Sequence, residues 1–294
     1  MKNLIIITGG AGFIGSNLIE LLLKKTSKNI ISLDNYSVGI KKNHINHKRI
    51  KYLKGDTVNF NRIFYKIRKK IDVIFHFGEF SRIAQSFENI DQCFNSNLKG
   101  SYEVINFCLQ NKIKIIYSAT SASLGNNQDD QHLSPYAFTK SFNMNLIVNF
   151  NKWFKLNYEI VYFFNVYGPK QIKKSNMSAV IGIFEDQFLN KKKLTVVSPG
   201  TQTRRFTHVS DTVLACYRAW KKNKIGHYSI SSNKAYSVLQ IAKSFSDKIE
   251  YLSSRPGERF ESKSLNSIRG IKIKNLKSKI DIKDYISNFL KKKY

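Results

Sequence analysis

The run Thr8-Gly9-Gly10-Ala11-Gly12-Phe13-Ile14-Gly15 constrains this chain more than any other stretch. It follows a short apolar segment, Leu4 to Ile7, that reads as a buried strand. It opens a segment, Phe13 to Lys25, with Leu18, Leu21 and Leu22 at helical spacing. Gly9 allows a tight turn, Gly12 lets a phosphate approach the backbone, and Gly15 lets helix and strand pack closely. With Phe13 and Ile14 in the same turn, the helix start offers unpaired N–H groups and a positive dipole to an anion.

The rest of the first half keeps the rhythm. Strands are expected at Ile30 to Leu33, Val73 to Phe77, Ile113 to Tyr117 and Glu159 to Phe164. Helices are expected at Asn61 to Lys70, Asn97 to Gln110 and Ser134 to Phe154, the last opened by Pro135. Strands alternating with helices imply an α/β fold, a Rossmann-type doubly wound parallel sheet. After Pro169 the pattern loosens into helices at Ala179 to Asn190, Thr212 to Trp220 and Ser237 to Ser246, with strands at Leu194 to Val197 and His227 to Ile230. A basic helix, Ile282 to Lys293, ends the chain. The expected division is a nucleotide-binding domain over 1–168 and a smaller C-terminal substrate-binding domain over 169–294, with part of 206–235 packing back on the main sheet.

Charge is the loudest compositional number. Forty-nine Lys and Arg against twenty Asp and Glu give +29. Lysines are scattered in short clusters with no nucleic-acid motif around them, so a generally basic surface is favoured over a specific nucleic-acid site. Cys93, Cys108 and Cys216 are far apart and form no CxxC pair, so neither a disulfide framework nor a metal site is expected. No apolar stretch approaches the roughly 18 residues of a membrane span, and a cytoplasmic enzyme is expected. Asp34 ends the second strand, nineteen residues after Gly15, where a carboxylate accepts ribose hydroxyls. That favours NAD over NADP, whose extra phosphate the carboxylate would repel; Asn35 rather than an Arg follows it.

Further landmarks occur in a fixed order: LDNYSVG, Gly55-Asp56, HFG at His76 to Gly78, NSNLKGS around Asn97, YSATSASLG, SPYAFTK, FFNVYGP, RRFTHVSD and SRPGE. Together with the glycine run they resemble the NAD-dependent epimerase/dehydratase branch of the extended short-chain dehydrogenase/reductases, most of all the UDP-glucose 4-epimerase type. Tyr136 and Lys140 stand four apart on a helix, so both side chains lie on one face. An ammonium beside a phenol favours the phenolate, which can then take a hydroxyl proton while the carbon beneath yields hydride to NAD. The resemblance implies Thr120 as the hydroxyl that bonds the sugar O4, with Ser118 structural or near the nicotinamide. It implies a cofactor site completed by Asp56, Thr57, Phe77, Gly78 and Asn97. It also implies a substrate site of Arg82, Asn165, Arg204 and Arg255, where planar guanidinium forks suit a diphosphate.

Some positions depart from the family pattern. Tyr162 replaces an arginine, Arg205 an aspartate, and Leu124 a tyrosine, while the segment from Thr120 to Tyr136 is short. Ser121 and Ala122 follow Thr120, where the sugar 4,6-dehydratases carry Asp-Glu. Ser262, seven residues after Arg255, replaces a bulky residue that narrows some epimerase pockets, so 2-acetamido sugars are expected to fit. The expected activity is C4 inversion of a UDP-hexose through a transient 4-keto sugar with tightly held NAD, in a homodimer, for polysaccharide synthesis. The rivals are another NAD-dependent nucleotide-sugar oxidoreductase or dehydratase of the family, and a catalytically silent Rossmann binding module.

Overall fold

Leu4–Thr8 (β1) reads LIIIT and is buried along its whole length, as a parallel strand covered on both faces must be. The computed structural model describes residues 2–125, 131–254, 256–257, 260–261 and 265–292. Around β1 are Asn29–Asp34 (β2), Ile50–Lys54 (β3), Ile71–His76 (β4), Lys114–Thr120 (β5), Tyr158–Phe163 (β6), Gly226–Ser231 (β7), Ser267–Ile268 (β8) and Ile271–Lys277 (β9). They form one nine-stranded sheet in the order β8-β9-β7-β6-β5-β4-β1-β2-β3. Every pairing is parallel except β8 with β9. Strand order reverses between β1 and β4, and such a switch point opens a crevice at the carboxyl ends of the strands.

Apolar cores cover both faces of the sheet. One joins Ile6, Ile74, Ile115 and Ile160 to Val104, Met144 and Ile147; the other joins Ile5, Val73 and Val161 to Leu18, Val213 and Trp220. The helices involved are Phe13–Lys25 (α1), Ser101–Gln110 (α2), Pro135–Phe154 (α3) and Val209–Lys222 (α4). Ser134 caps α3 by accepting from the Ala137 N–H at 3.1 Å, and Pro135 takes the first turn, where a missing N–H costs nothing. A third core, around Phe184, Val196, Phe206, Ile241, Phe245 and Ile286, builds a smaller lobe.

Three details differ from the sequence reading. β3 was not anticipated: IKYLK interleaves lysines, as suits an edge strand. The helix expected over 61–70 is a short α-helix, Phe60–Phe64, followed by a 3₁₀ run, Tyr65–Lys70, where Lys66 and Lys70 repel at i,i+4 spacing. The helix expected from Asn97 begins with a wide π turn, Asn95–Gly100. Residues 226–231 and also 271–277 add to the main sheet, the latter from within the expected lid. Asp211 on α4 anchors that return by accepting from Ser278 Oγ at 2.8 Å and the Lys279 N–H at 2.7 Å.

Candidate active site

A cleft of about 1360 Å³ runs along the carboxyl ends of β1, β4 and β5. At one end the glycine loop forms its floor. Gly9 has φ +71°, and a Cβ there would lie 2.8 Å from the Phe77 carbonyl; one on Gly15 would lie 2.2 Å from the Gly9 oxygen. Only a side-chain-free backbone closes this turn. Gly12, Phe13, Ile14, Asp34, Asn35, Asp56, Thr57, Phe77 and Gly78 line the same end. The Asp34 carboxylate accepts from the Ala11 and Tyr36 N–H groups, each at 2.9 Å. Burial pushes its carboxyl above the usual range, and those N–H groups oppose the shift. Asn35 donates to Asp56 at 2.9 Å, tying the ends of β2 and β3 together.

Tyr136, Lys140, Ser118 and Thr120 all line the cleft. Thr120 ends β5 and accepts from the Ala122 N–H at 3.3 Å. Ser118 donates to the His76 carbonyl at 2.9 Å, and its own carbonyl accepts from Lys140 Nζ at 2.5 Å. Lys140 also donates to Glu79, a carboxylate whose side chain is only 2% exposed. The other Glu79 oxygen accepts from Ser101 at 2.9 Å, Tyr117 at 2.9 Å and Asn143 at 3.1 Å. Burial and Glu79 together hold the Tyr117 phenol well above its usual range, so it remains a donor. Behind Ser101 lies His76, whose Nε2 is 2.9 Å from the serine and whose Nδ1 is 2.7 Å from Thr8 Oγ1. Thr8 already accepts from the Phe77 and Gly78 N–H groups, so its proton goes to Nδ1 and the imidazole donates through Nε2. Burial pushes His76 down to about 4, which keeps it neutral.

Sequence reasoning passed over Glu79. The available signal was an acidic residue directly after the glycine that ends a buried strand, but its partners come from three distant segments. Asn97 stands back from the cleft: it is fully buried, accepts from the Phe80 N–H at 2.6 Å and donates to Thr139 at 3.0 Å, fixing the loop after β4. Arg82, Asn165 and Arg204 also line the cleft. Arg82 Nε donates to the Met177 carbonyl at 2.6 Å. Burial lowers its guanidinium from the ordinary value, while the charge of Tyr136 acts in the opposite sense. Asn165 donates to the Arg205 carbonyl at 3.0 Å, and Arg205 holds the Ser232 and Asn233 carbonyls, so it braces the wall. Tyr162, in place of the expected arginine, is buried and donates to Met144 while meeting His227 at 2.8 Å. Gln171 also lines the cleft and was not foreseen. Arg255 and Ser262 lie outside the described residues.

The cleft suits a dinucleotide: a glycine floor that a Cβ would fill, an unpaired helix start and a buried carboxylate with acceptor capacity left over. Among the described residues no cluster of His, Cys, Asp or Glu could hold a metal ion, and no helix is long and apolar enough to cross a membrane.

Fold and cleft together define a doubly wound, dinucleotide-binding α/β protein with a Tyr–Lys pair in the same cleft as the glycine loop. The profile of the NAD dependent epimerase/dehydratase family matches residues 5–231, and the chain belongs to that family. A dTDP-D-glucose 4,6-dehydratase of Dictyostelium discoideum is 30% identical over 81% of this chain, which spans 60% of that protein's length. A UDP-N-acetyl-alpha-D-glucosaminuronate decarboxylase of Bacillus cytotoxicus is 30% identical, over 82% of this chain and 79% of its own. Among solved structures, a UDP-N-acetylglucosamine 4-epimerase from Methanobrevibacter ruminantium M1, in complex with UDP-N-acetylmuramic acid, superposes with a TM-score of 0.79 at 27% identity. That match covers 98% of this chain and 93% of that one.

Proposed function

We propose that this chain is a cytoplasmic, NAD-dependent nucleotide-sugar 4-epimerase that inverts C4 of a UDP-hexose, in a homodimer. The observation that carries the reading is the placement of Tyr136, Lys140 and Thr120 in one cleft with the glycine loop and Asp34. Bound NAD supplies a reversible hydride acceptor. Gly9, Gly12, Phe13, Ile14, Gly15 and Asp34 would hold its adenosine and phosphates, and Lys140 its nicotinamide ribose. Tyr136 takes the proton from the sugar O4 and holds it until the hydroxyl re-forms on the other face. Thr120 orients O4. Asn165, Arg204 and Arg255 grip the diphosphate while the 4-keto sugar turns over. Ser262, a small residue where some epimerases carry a bulky one, is expected to admit an N-acetyl group.

Ser121 and Ala122 after Thr120 favour epimerisation over dehydration, because removing water calls for an added acid and base there. Dimerisation is supported by Tyr102 on α2 and by Phe138, Phe142 and Trp153 on α3, all at least 40% exposed. Incubation with UDP-, dTDP- and GDP-sugars, read by NMR, tests the activity. A UDP-hexose should interconvert with its C4 epimer with no steady-state change in NADH. Accumulation of a 4-keto-6-deoxy or decarboxylated product would overturn the reading. Light scattering should give twice the 34.0 kDa chain mass.

A further inference from the structure

Lys140 enters the cleft already paired with a buried carboxylate. The carboxylate is Glu79, held by Ser101, Tyr117 and Asn143 as well as by the lysine. So many donors converge on it that it is held in one place. The chain of bonds behind it runs through Ser101 and His76 to Thr8, which is fully buried and bonded to backbone. At that end it stops inside the protein. An anion fixed there has two physical effects. It sets the position of the Lys140 ammonium, and it offsets that ammonium's field at neighbouring groups.

The geometry points to Glu79 as a positioning residue for Tyr136: it clamps Lys140 and compensates its charge, leaving Arg82, which lines the same cleft, as a cation with no ion-pair partner among the described residues. This rests on Tyr136 acting as the base. Other ionisable groups on the elements around α3 contribute less. Tyr117 on β5 stays protonated. Cys93, on the short helix Ile90–Phe94, is a buried thiol that burial raises. Glu88, Asp91 and Lys99 are exposed and screened by solvent. Glu103 on α2 is half-buried, and Lys114 and Glu159 pair with each other at the far end of the sheet.

The test is a pH titration of the purified protein with its bound cofactor. Tyrosine labelled with ¹³C at Cζ reports the Tyr136 midpoint by NMR, assigned with Tyr136→Phe, beside the acid limb of the kcat profile. In Glu79→Gln the uncompensated ammonium should move both to lower pH by about one unit. Glu79→Asp should fall between that variant and the parent, and Arg82→Gln should move both upward. If Glu79→Gln does not fold, Glu79→Asp carries the same test with the smaller shift. Folded variants at Glu79 with an unmoved NMR midpoint would overturn the proposal, since a merely structural role predicts that result. Failure of the catalytic reading shows differently: Tyr136→Phe would then turn over as fast as the parent, while the NMR shift still decides the role of Glu79.

Discussion

Two buried lysine–glutamate pairs sit at opposite ends of the same sheet. Lys140 and Glu79 are 5% and 2% exposed; Lys114 and Glu159 are 5% and 0% exposed. Their surroundings separate them. Glu79 is ringed by three neutral donors and its lysine faces the cleft. Glu159 receives Lys114 at 2.5 Å and the Lys224 N–H at 3.2 Å, tying the starts of β5 and β6 to the turn after α4. Burial raises the Glu159 carboxyl above its usual range against the pull of Lys114. The same chemical pair thus holds a lysine at the wall of the cleft in one place and serves as a rivet between strands in the other.

Four outcomes break or sharpen that contrast. Tyr136→Phe, beside the upper pair, should lower turnover about 10³-fold, with the thermal midpoint nearly unchanged. At the lower pair, Glu159→Ala should cost about 3–5 kcal/mol in denaturant melts by stranding a buried ammonium, with kcat per folded molecule intact. If Glu159→Ala lowered kcat as well, the division of labour between the two pairs would fail. The buried histidines give a third handle. Burial holds His76 and His227 at about 4, below the unfolded value near 6.5. The unfolded chain binds their protons first, so each should remove about 3 kcal/mol of stability as pH falls from 6.5 to 4. The raised carboxyls of Asp34 and Glu159 act in the opposite sense, so the slope lost in His227→Gln, rather than the parent profile, measures the effect. Smallest is Glu20→Ala. Its carboxylate is 43% exposed and meets Lys24 and Lys170, and its loss should shift stability by no more than about 0.5 kcal/mol.

What the sequence revealed follows from how local each signal is. The glycine run and the Tyr136–Lys140 spacing are legible because one turn or one helix face contains the whole constraint. α1 runs from Phe13 to Lys25 as read, because its apolar residues repeat at helical spacing. Glu79 was invisible because Ser101, Tyr117, Lys140 and Asn143 reach it from two helices and a strand. β9 was missed for a related reason. Its IKIKNLK alternation marks a strand but not which sheet receives it, and that choice depends on pairing with β7 and on the Asp211 anchor.

That late return of the chain governs how the cleft can move. After β6 the polypeptide enters the small lobe, comes back through α4 and β7, leaves again, and returns once more as β9 before ending in the helix Ile282–Lys291. The two walls are therefore laced together by several separate crossings. A protease that severed one of them would leave both fragments docked through shared strands, and any relative motion of the two walls must distribute its bending over all the laces at once.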